Sequence, residues 1–186
     1  RRQDCRPPAL FHGGGKMSLG VLHGRVAYIF ADADFDVDQI IGVENIRLTD
    51  PDALAACAMR HFDPDFADLV QPGDIIVGGE NFGYGHPHFA PMIGLRRLGI
   101  SAVAANSFAT GYWREEIAEG FPQIACPGIT GLVARWDSVE VDWDSAEIRN
   151  CTTGDALPIT PYSKAEIGML RTGGLIPYLR KRLGVT

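Results

Sequence analysis

Apolar positions in this chain come in short runs rather than long stripes. Residues 25–30 (RVAYIF), 74–78 (DIIVG) and 100–105 (ISAVAA) are brief and apolar at successive positions, the pattern of strands buried on both faces. Between the second and third, residues 91–98 have helical character, and Pro91 is tolerated only in a first turn. A helix is therefore expected to start at about residue 88–90. A second helix is expected over about 111–119, bounded by Gly120. Strand, glycine-rich connection, helix, strand and helix make a βαβ arrangement, which implies a parallel pair with a crossover. Ligands of such sheets lie at the carboxyl ends of the strands, where the connections 79–88 and 106–110 stand here.

The texture changes after Cys126-Pro127-Gly128. Residues 138–143 (SVEVDW) alternate, 147–151 can pair with them, and Thr152-Thr153-Gly154-Asp155 reads as a turn, so the last third is expected to be partly antiparallel. Ser163 and Glu166 form a capping box that opens a short helix. Gly173-Gly174 separates it from a final helix ending in Arg180-Lys181-Arg182, cations that complement the helix dipole. Nearer the start, Thr49-Asp50-Pro51 opens a helix carrying Leu54, Cys57 and Ala58 on one face and ending near His61. Residues 40–49 are too mixed to assign, and 62–72 reads as a connector.

Composition narrows the function. A chain of 186 residues with 46% apolar content can bury one sizeable core. Residues 1–16 lack the apolar centre of a secretory signal and read as a flexible extension, leaving 17–186 as one domain. A net charge of −6 offers no basic field for a polyanion, which argues against nucleic acid and for a small molecule or a protein partner. Cys5, Cys57, Cys126 and Cys151 are too scattered for a metal knuckle or a redox pair. They read as reduced, buried residues of a cytoplasmic protein, so this chain supplies no thiolate set of its own.

Two stretches carry candidate chemistry. Gly79-Glu80-Asn81-Phe82-Gly83-Tyr84-Gly85-His86-Pro87-His88 is a strand-to-helix junction in which backbone N–H groups can approach an anion, backed by a helix N-terminus. His86 falls in the loop and His88 near the N-cap, both toward the same mouth. A tight connection without a ligand is the competing reading. A metal held by the two histidines would need a third ligand that the sequence does not place. Asp32, Asp34, Asp36 and Asp38 alternate after the first strand. They read as a solvated turn that caps a short helix near Gln39 in preference to a cation site, because the glycine and distal glutamate of a calcium loop are missing.

These stretches together resemble the swivelling-domain small subunits of the aconitase superfamily, and within it the small-subunit family of 3-isopropylmalate dehydratase. Asp36-Val37-Asp38-Gln39-Ile40-Ile41 is similar to the family's D-T-D-Q-I-I, and residues 72–85 (PGDIIVGGENFGYG) to P-G-D-I-I-V-A-G-x-N-F-G-C-G. Residues 104–114 resemble I-A-x-S-F-A-x-I-F-x-R, and Thr152-Thr153-Gly154 with residues 173–179 resemble the N-x-T-T-G and G-G-L-x-x-Y-L close. The likeness spans about residues 25–184.

The resemblance implies an α/β fold of three layers, β/β/α, with a mixed parallel and antiparallel sheet. It implies a hydro-lyase that works only with a large subunit. That partner carries a [4Fe–4S] cluster, none being bound by this chain, and the substrate is a malate-type 2-hydroxy acid such as 3-isopropylmalate or a related alkylmalate. The departures are informative. Where the family reads G-C-G-S-S-R-E, this chain reads Gly83-Tyr84-Gly85-His86-Pro87-His88-Phe89. His86 replaces the serine base, and an imidazole is a competent base near neutral pH. Pro87 removes a backbone donor, and His88 replaces the arginine that holds a substrate carboxylate.

Gly83 and Gly85 then cradle the anion. Arg47, in the loop that reads the variable substituent, favours a polar or anionic group there, although Glu44 stands where related chains carry arginine. Ser107 and Arg114 match substrate-side positions, Arg114 either touching substrate or tying down the loop at Ser107. Two alternatives stay open: a divergent member acting on an unusual acid, and a non-catalytic assembly subunit. A docking surface left bare would also allow homodimers of the isolated chain.

Overall fold

The computed structural model describes residues 19–86 and 88–184. The predicted extension, residues 1–16, lies outside the described residues, as does Pro87. Strand β1 (Val21–Phe30) organises the rest, because it belongs to two half-sheets at once. Its first half pairs antiparallel with β5 (Ser138–Asp142), from Val21 opposite Asp142 to Arg25 opposite Ser138. Its second half runs parallel to β2 (Ile75–Gly78), from Val26 opposite Ile75 to Phe30 opposite Gly78. The sheet continues on the parallel side through β3 (Ala102–Ala105) and β4 (Gln123–Ala125), and on the antiparallel side through β6 (Glu147–Asn150) and β7 (Ala156–Pro158). The order is β4-β3-β2-β1-β5-β6-β7.

Side-chain alternation along the parallel strands explains the layers. Val26, Ile75, Val77, Ala102 and Ala104 share a core with Val139, Val141 and Ile148 of the antiparallel half. Ala27, Phe30, Ile76, Val103 and Ala105 point the other way, into a core with Leu54, Met92 and Leu95 of the helices. The parallel half is thus sandwiched between helices and the antiparallel half, which is the expected mixed β/β/α arrangement. A bulge between Val26 and Tyr28 turns both Ala27 and Tyr28 toward the helical side, re-aiming the strand where it leaves one half-sheet for the other.

The helical layer is built from α1 (Pro51–Cys57), α2 (Phe66–Leu69), α3 (Ala90–Arg97) and α4 (Thr110–Ala118). A short α5 (Ile129–Leu132) precedes the hairpin, and α6 (Lys164–Thr172) and α7 (Leu175–Leu183) close the chain. Asp50 caps α1 by accepting the Ala53 N–H at 2.8 Å. The Ser163–Glu166 capping box is present in both directions. Helix α1 stops at Cys57, a turn earlier than its pattern predicts, because Ala58 is extended and Met59 takes a φ of 67°. The Met59 N–H donates instead to the Ile40 carbonyl at 2.7 Å, so a tertiary bond replaces the next helical one. The short helix expected near Gln39 is a 3-10 turn over Val37–Ile40. Among the described residues no helix is long and apolar enough to cross a membrane.

Candidate active-site loop

The connection after β2 is fastened by its first five residues. Gly79 donates to the Phe30 carbonyl at 2.8 Å, and a side chain there would collide with the carbonyls of Ala31 and Asp32. Asn81, at a φ of 53°, donates its N–H to Ser107 Oγ at 2.8 Å and its side-chain amide to Asp34 Oδ1 at 2.6 Å. Phe82 forms an isolated parallel bridge with Phe108, and the Ser107 hydroxyl donates to Glu80 Oε2. The Phe82 ring, wholly buried, stacks at 5.6 Å on Phe35 and meets Tyr112 edge-on at 5.7 Å. Gly83 is fixed by that same tyrosine: its φ is +83°, and a β-carbon would lie 2.2 Å from Tyr112 Cγ.

The next residues open to solvent. Tyr84, Gly85, His86, His88 and Phe89 are all exposed. A buried carboxylate holds its far end. The Asp38 carboxylate, itself buried, accepts the His88 backbone N–H at Oδ1 (2.9 Å) and faces the His88 ring Nδ1 from Oδ2 at 2.7 Å. Asp38 is aimed by the 3-10 turn at Val37–Ile40, whose cap Asp36 accepts the Asp38 N–H at 3.0 Å. The aspartates therefore divide their work: Asp34 holds Asn81, Asp36 caps, and Asp38 holds His88 across fifty residues of chain.

The predicted residues are placed as follows. His86 and His88 share the exposed end of the loop, next to the N-terminus of α3. Gly85 is exposed, with Asp36 Oδ2 at 3.9 Å from where its β-carbon would be. The N–H groups of Gly83 and Tyr84 both donate to the Phe35 carbonyl, at 3.0 and 3.2 Å. Gly83 therefore shapes the loop and does not offer its N–H to an anion. The Ser107 hydroxyl is engaged by Glu80 and Asn81, so Ser107 is tied to the loop without help from Arg114. Arg47 and Arg114 are exposed, and neither side chain has a hydrogen-bonded or ionic partner among the described residues. Near Arg47, Glu44 Oε1 lies 3.7 Å from His61 Nε2. Asp38 is the site residue that the sequence reading left among the turn caps. The only sequence signal for it is its place in the D-x-D-Q-I-I stretch.

Four carboxylates, Asp34, Asp36, Asp38 and Glu80, surround the loop, so an anionic ligand needs the histidines and cations supplied from outside this cluster. Cys57 ends α1, while Cys126 and Cys151 follow β4 and β6, and burial pushes the Cys126 thiol up to about 11, far from the thiolate that a cluster requires. Among the described residues no group of three His, Cys, Asp or Glu side chains could hold a metal. The described residues therefore do not fit an iron–sulfur cluster.

A β/β/α domain with an open, glycine-shaped loop at the carboxyl ends of its parallel strands defines a swivel-type small subunit. The relatives are of that kind. The isopropylmalate/citramalate isomerase small subunit of Methanocaldococcus jannaschii is 40% identical over 163 residues, 88% of this chain and 96% of that one. The 2,3-dimethylmalate dehydratase small subunit of Eubacterium barkeri is 36% identical, over 77% of this chain and 88% of its own. The crystal structure of 3-isopropylmalate dehydratase from Methanocaldococcus jannaschii superposes with a TM-score of 0.78 at 35% identity, covering 88% of this chain and 95% of that chain. No protein-family model matches the chain. The chain belongs to the 3-isopropylmalate dehydratase small-subunit family.

Proposed function

We propose that this chain is the small subunit of a hydro-lyase that removes and adds water across a malate-type 2-hydroxy acid bearing an alkyl substituent. The observation that carries the reading is similarity, over most of the chain, to small subunits named for isopropylmalate, citramalate and dimethylmalate. The partner is a large subunit, and the [4Fe–4S] cluster sits there, supplying a Lewis acid for the departing hydroxyl. This chain's own part is to close the cleft, orient the acid and handle the proton on the carbon beside a carboxylate. His86 and His88 share proton transfer and carboxylate binding, Gly85 lets the backbone approach, and Arg47 and Arg114 are the cations free to meet an anionic group. Ser107 supports the loop from below.

The exchange of a permanent bidentate arginine for His88 favours a substrate whose second carboxylate is weakly held, or one that lacks it. That observation carries a second reading, a dehydratase for an unusual acid. The test is co-expression with the large subunit, anaerobic purification and an ultraviolet assay for the unsaturated acid from 3-isopropylmalate, citramalate and 2,3-dimethylmalate. Turnover that requires both chains is expected. A stable complex with an intact cluster and no turnover on any of the three would overturn the alkylmalate reading. Turnover of a monoacid or ester by that same complex would establish the second.

A further inference from the structure

Resting on that functional reading, we infer that the proton carrier is His88, with Asp38 as the positioning residue that fixes its tautomer, and that His86 serves substrate binding. General bases work only when held in place. The His88 ring is held at two points by one buried carboxylate: the backbone N–H at 2.9 Å and ring Nδ1 at 2.7 Å. A carboxylate only accepts, so Nδ1 carries the hydrogen, and in the neutral ring Nε2 keeps its lone pair. The ring is half exposed, its side chain 49% accessible against 8% for Asp38, and Nε2 has no partner among the described residues. His86 is exposed on the same loop and has no hydrogen-bonded or ionic partner among the described residues to hold its ring.

In the dehydration direction Nε2 takes the proton from the carbon beside the carboxylate. The C–H electron pair becomes the second bond of the alkene, and the hydroxyl leaves the neighbouring carbon as hydroxide; the large subunit's Lewis acid, where bound, would supply the acceptor for it. Hydration runs the same steps backward, with the imidazolium returning its proton.

The test compares Asp38→Asn, His88→Gln and His86→Gln in the purified two-subunit enzyme, with ¹⁵N-histidine spectra of the full chain. An asparagine has one acceptor oxygen, which the His88 backbone N–H already claims. Its amide would then face Nδ1 and force the hydrogen onto Nε2. Asp38→Asn and His88→Gln are each expected to lower kcat by about 10²–10³-fold with KM within about threefold. His86→Gln is expected to raise KM more than it lowers kcat. In the spectra His88 should show the Nδ1–H tautomer in the wild type and lose it in Asp38→Asn. Because His88 is exposed, its glutamine variant keeps the comparison meaningful even if the aspartate variant folds poorly.

Loss of kcat confined to His86→Gln, with His88→Gln near wild type, would overturn the assignment, as would an Nε2–H tautomer at His88 in the wild type. A well-formed wild-type complex without turnover would instead remove the functional reading and the base role with it, while the spectra alone decide whether Asp38 sets the tautomer.

Discussion

The two ends of the loop at 79–88 follow opposite rules. Residues 79–83, exposed Glu80 apart, are built like a core: buried Phe82 between aromatic rings, Gly83 against Tyr112, and backbone donors answered by Phe30, Phe35 and Ser107. Tyr84, Gly85, His86 and His88 are built like a surface, exposed and with one carboxylate tie at His88. Function needs both. A reactive group must face substrate, so its packing has to be supplied one step away, by neighbours that never touch the ligand. The difference has a measurable form: substitutions at the first end should act on stability, and those at the second on activity.

The largest effect is expected at Phe82. Phe82→Ala removes a fully buried ring that contacts Phe30, Phe35, Phe108 and Tyr112, and a loss of about 3–5 kcal/mol should appear as a lower denaturant midpoint. Gly83→Ala should follow at about 2–4 kcal/mol, from the positive φ and the overlap with the Tyr112 ring. A variant as stable as the wild type would mean that this end is not packed as described.

Below the loop, α4 also buries Glu116, only 3% exposed. Desolvation chiefly, with Glu119 and Glu115 adding and Arg96 opposing, raises its carboxyl from the ordinary 4.5 to about 8. Between those values the unfolded chain has released this proton while the folded chain keeps it. The folded state then binds more protons, so stability falls as pH rises through that window and levels off above it. Glu116→Gln has no proton to lose. Its melting temperature should gain on the wild type between pH 5 and pH 8, by the equivalent of about 1–3 kcal/mol. A constant difference across that range would show Glu116 ionised in the fold. A smaller change, about 1–2 kcal/mol, is expected for Ser107→Ala, which unties the Glu80 and Asn81 bonds.

Legibility in the sequence tracked the same division. Strands β2 and β3 were readable because both faces are buried, and the hairpin β5–β6 because its positions alternate. The capping box at Ser163 announced α6. Strands β4 and β7, three residues each, are too short for a period, and α5 is a single turn. Helix α1 is shorter than its pattern predicts because the bond that ends it runs to Ile40, which no local pattern contains. At the site, motif likeness located the loop, but the use of each polar group depended on partners far along the chain. Asp38 meets His88 fifty residues away, and Gly83 spends its N–H on Phe35. Neither pairing leaves a mark in local spacing.

The smallest effect on stability is expected where the surface rule holds most fully. Tyr84 is 53% exposed and contributes no ring contact among the described residues, although its backbone N–H is anchored on Phe35. Tyr84→Ala keeps that N–H and loses only a solvated ring, so the melting temperature of the isolated chain should move by no more than about 0.5 kcal/mol allows. The same side chain sits on the face that the functional reading turns toward the large subunit, where a half-exposed aromatic is the kind of group that anchors an interface. Titrating the variant against the large subunit should therefore show weaker association with an unchanged monomer. Destabilisation of the monomer would extend the packed region past Gly83, and unchanged affinity would place the docking contacts elsewhere on the domain.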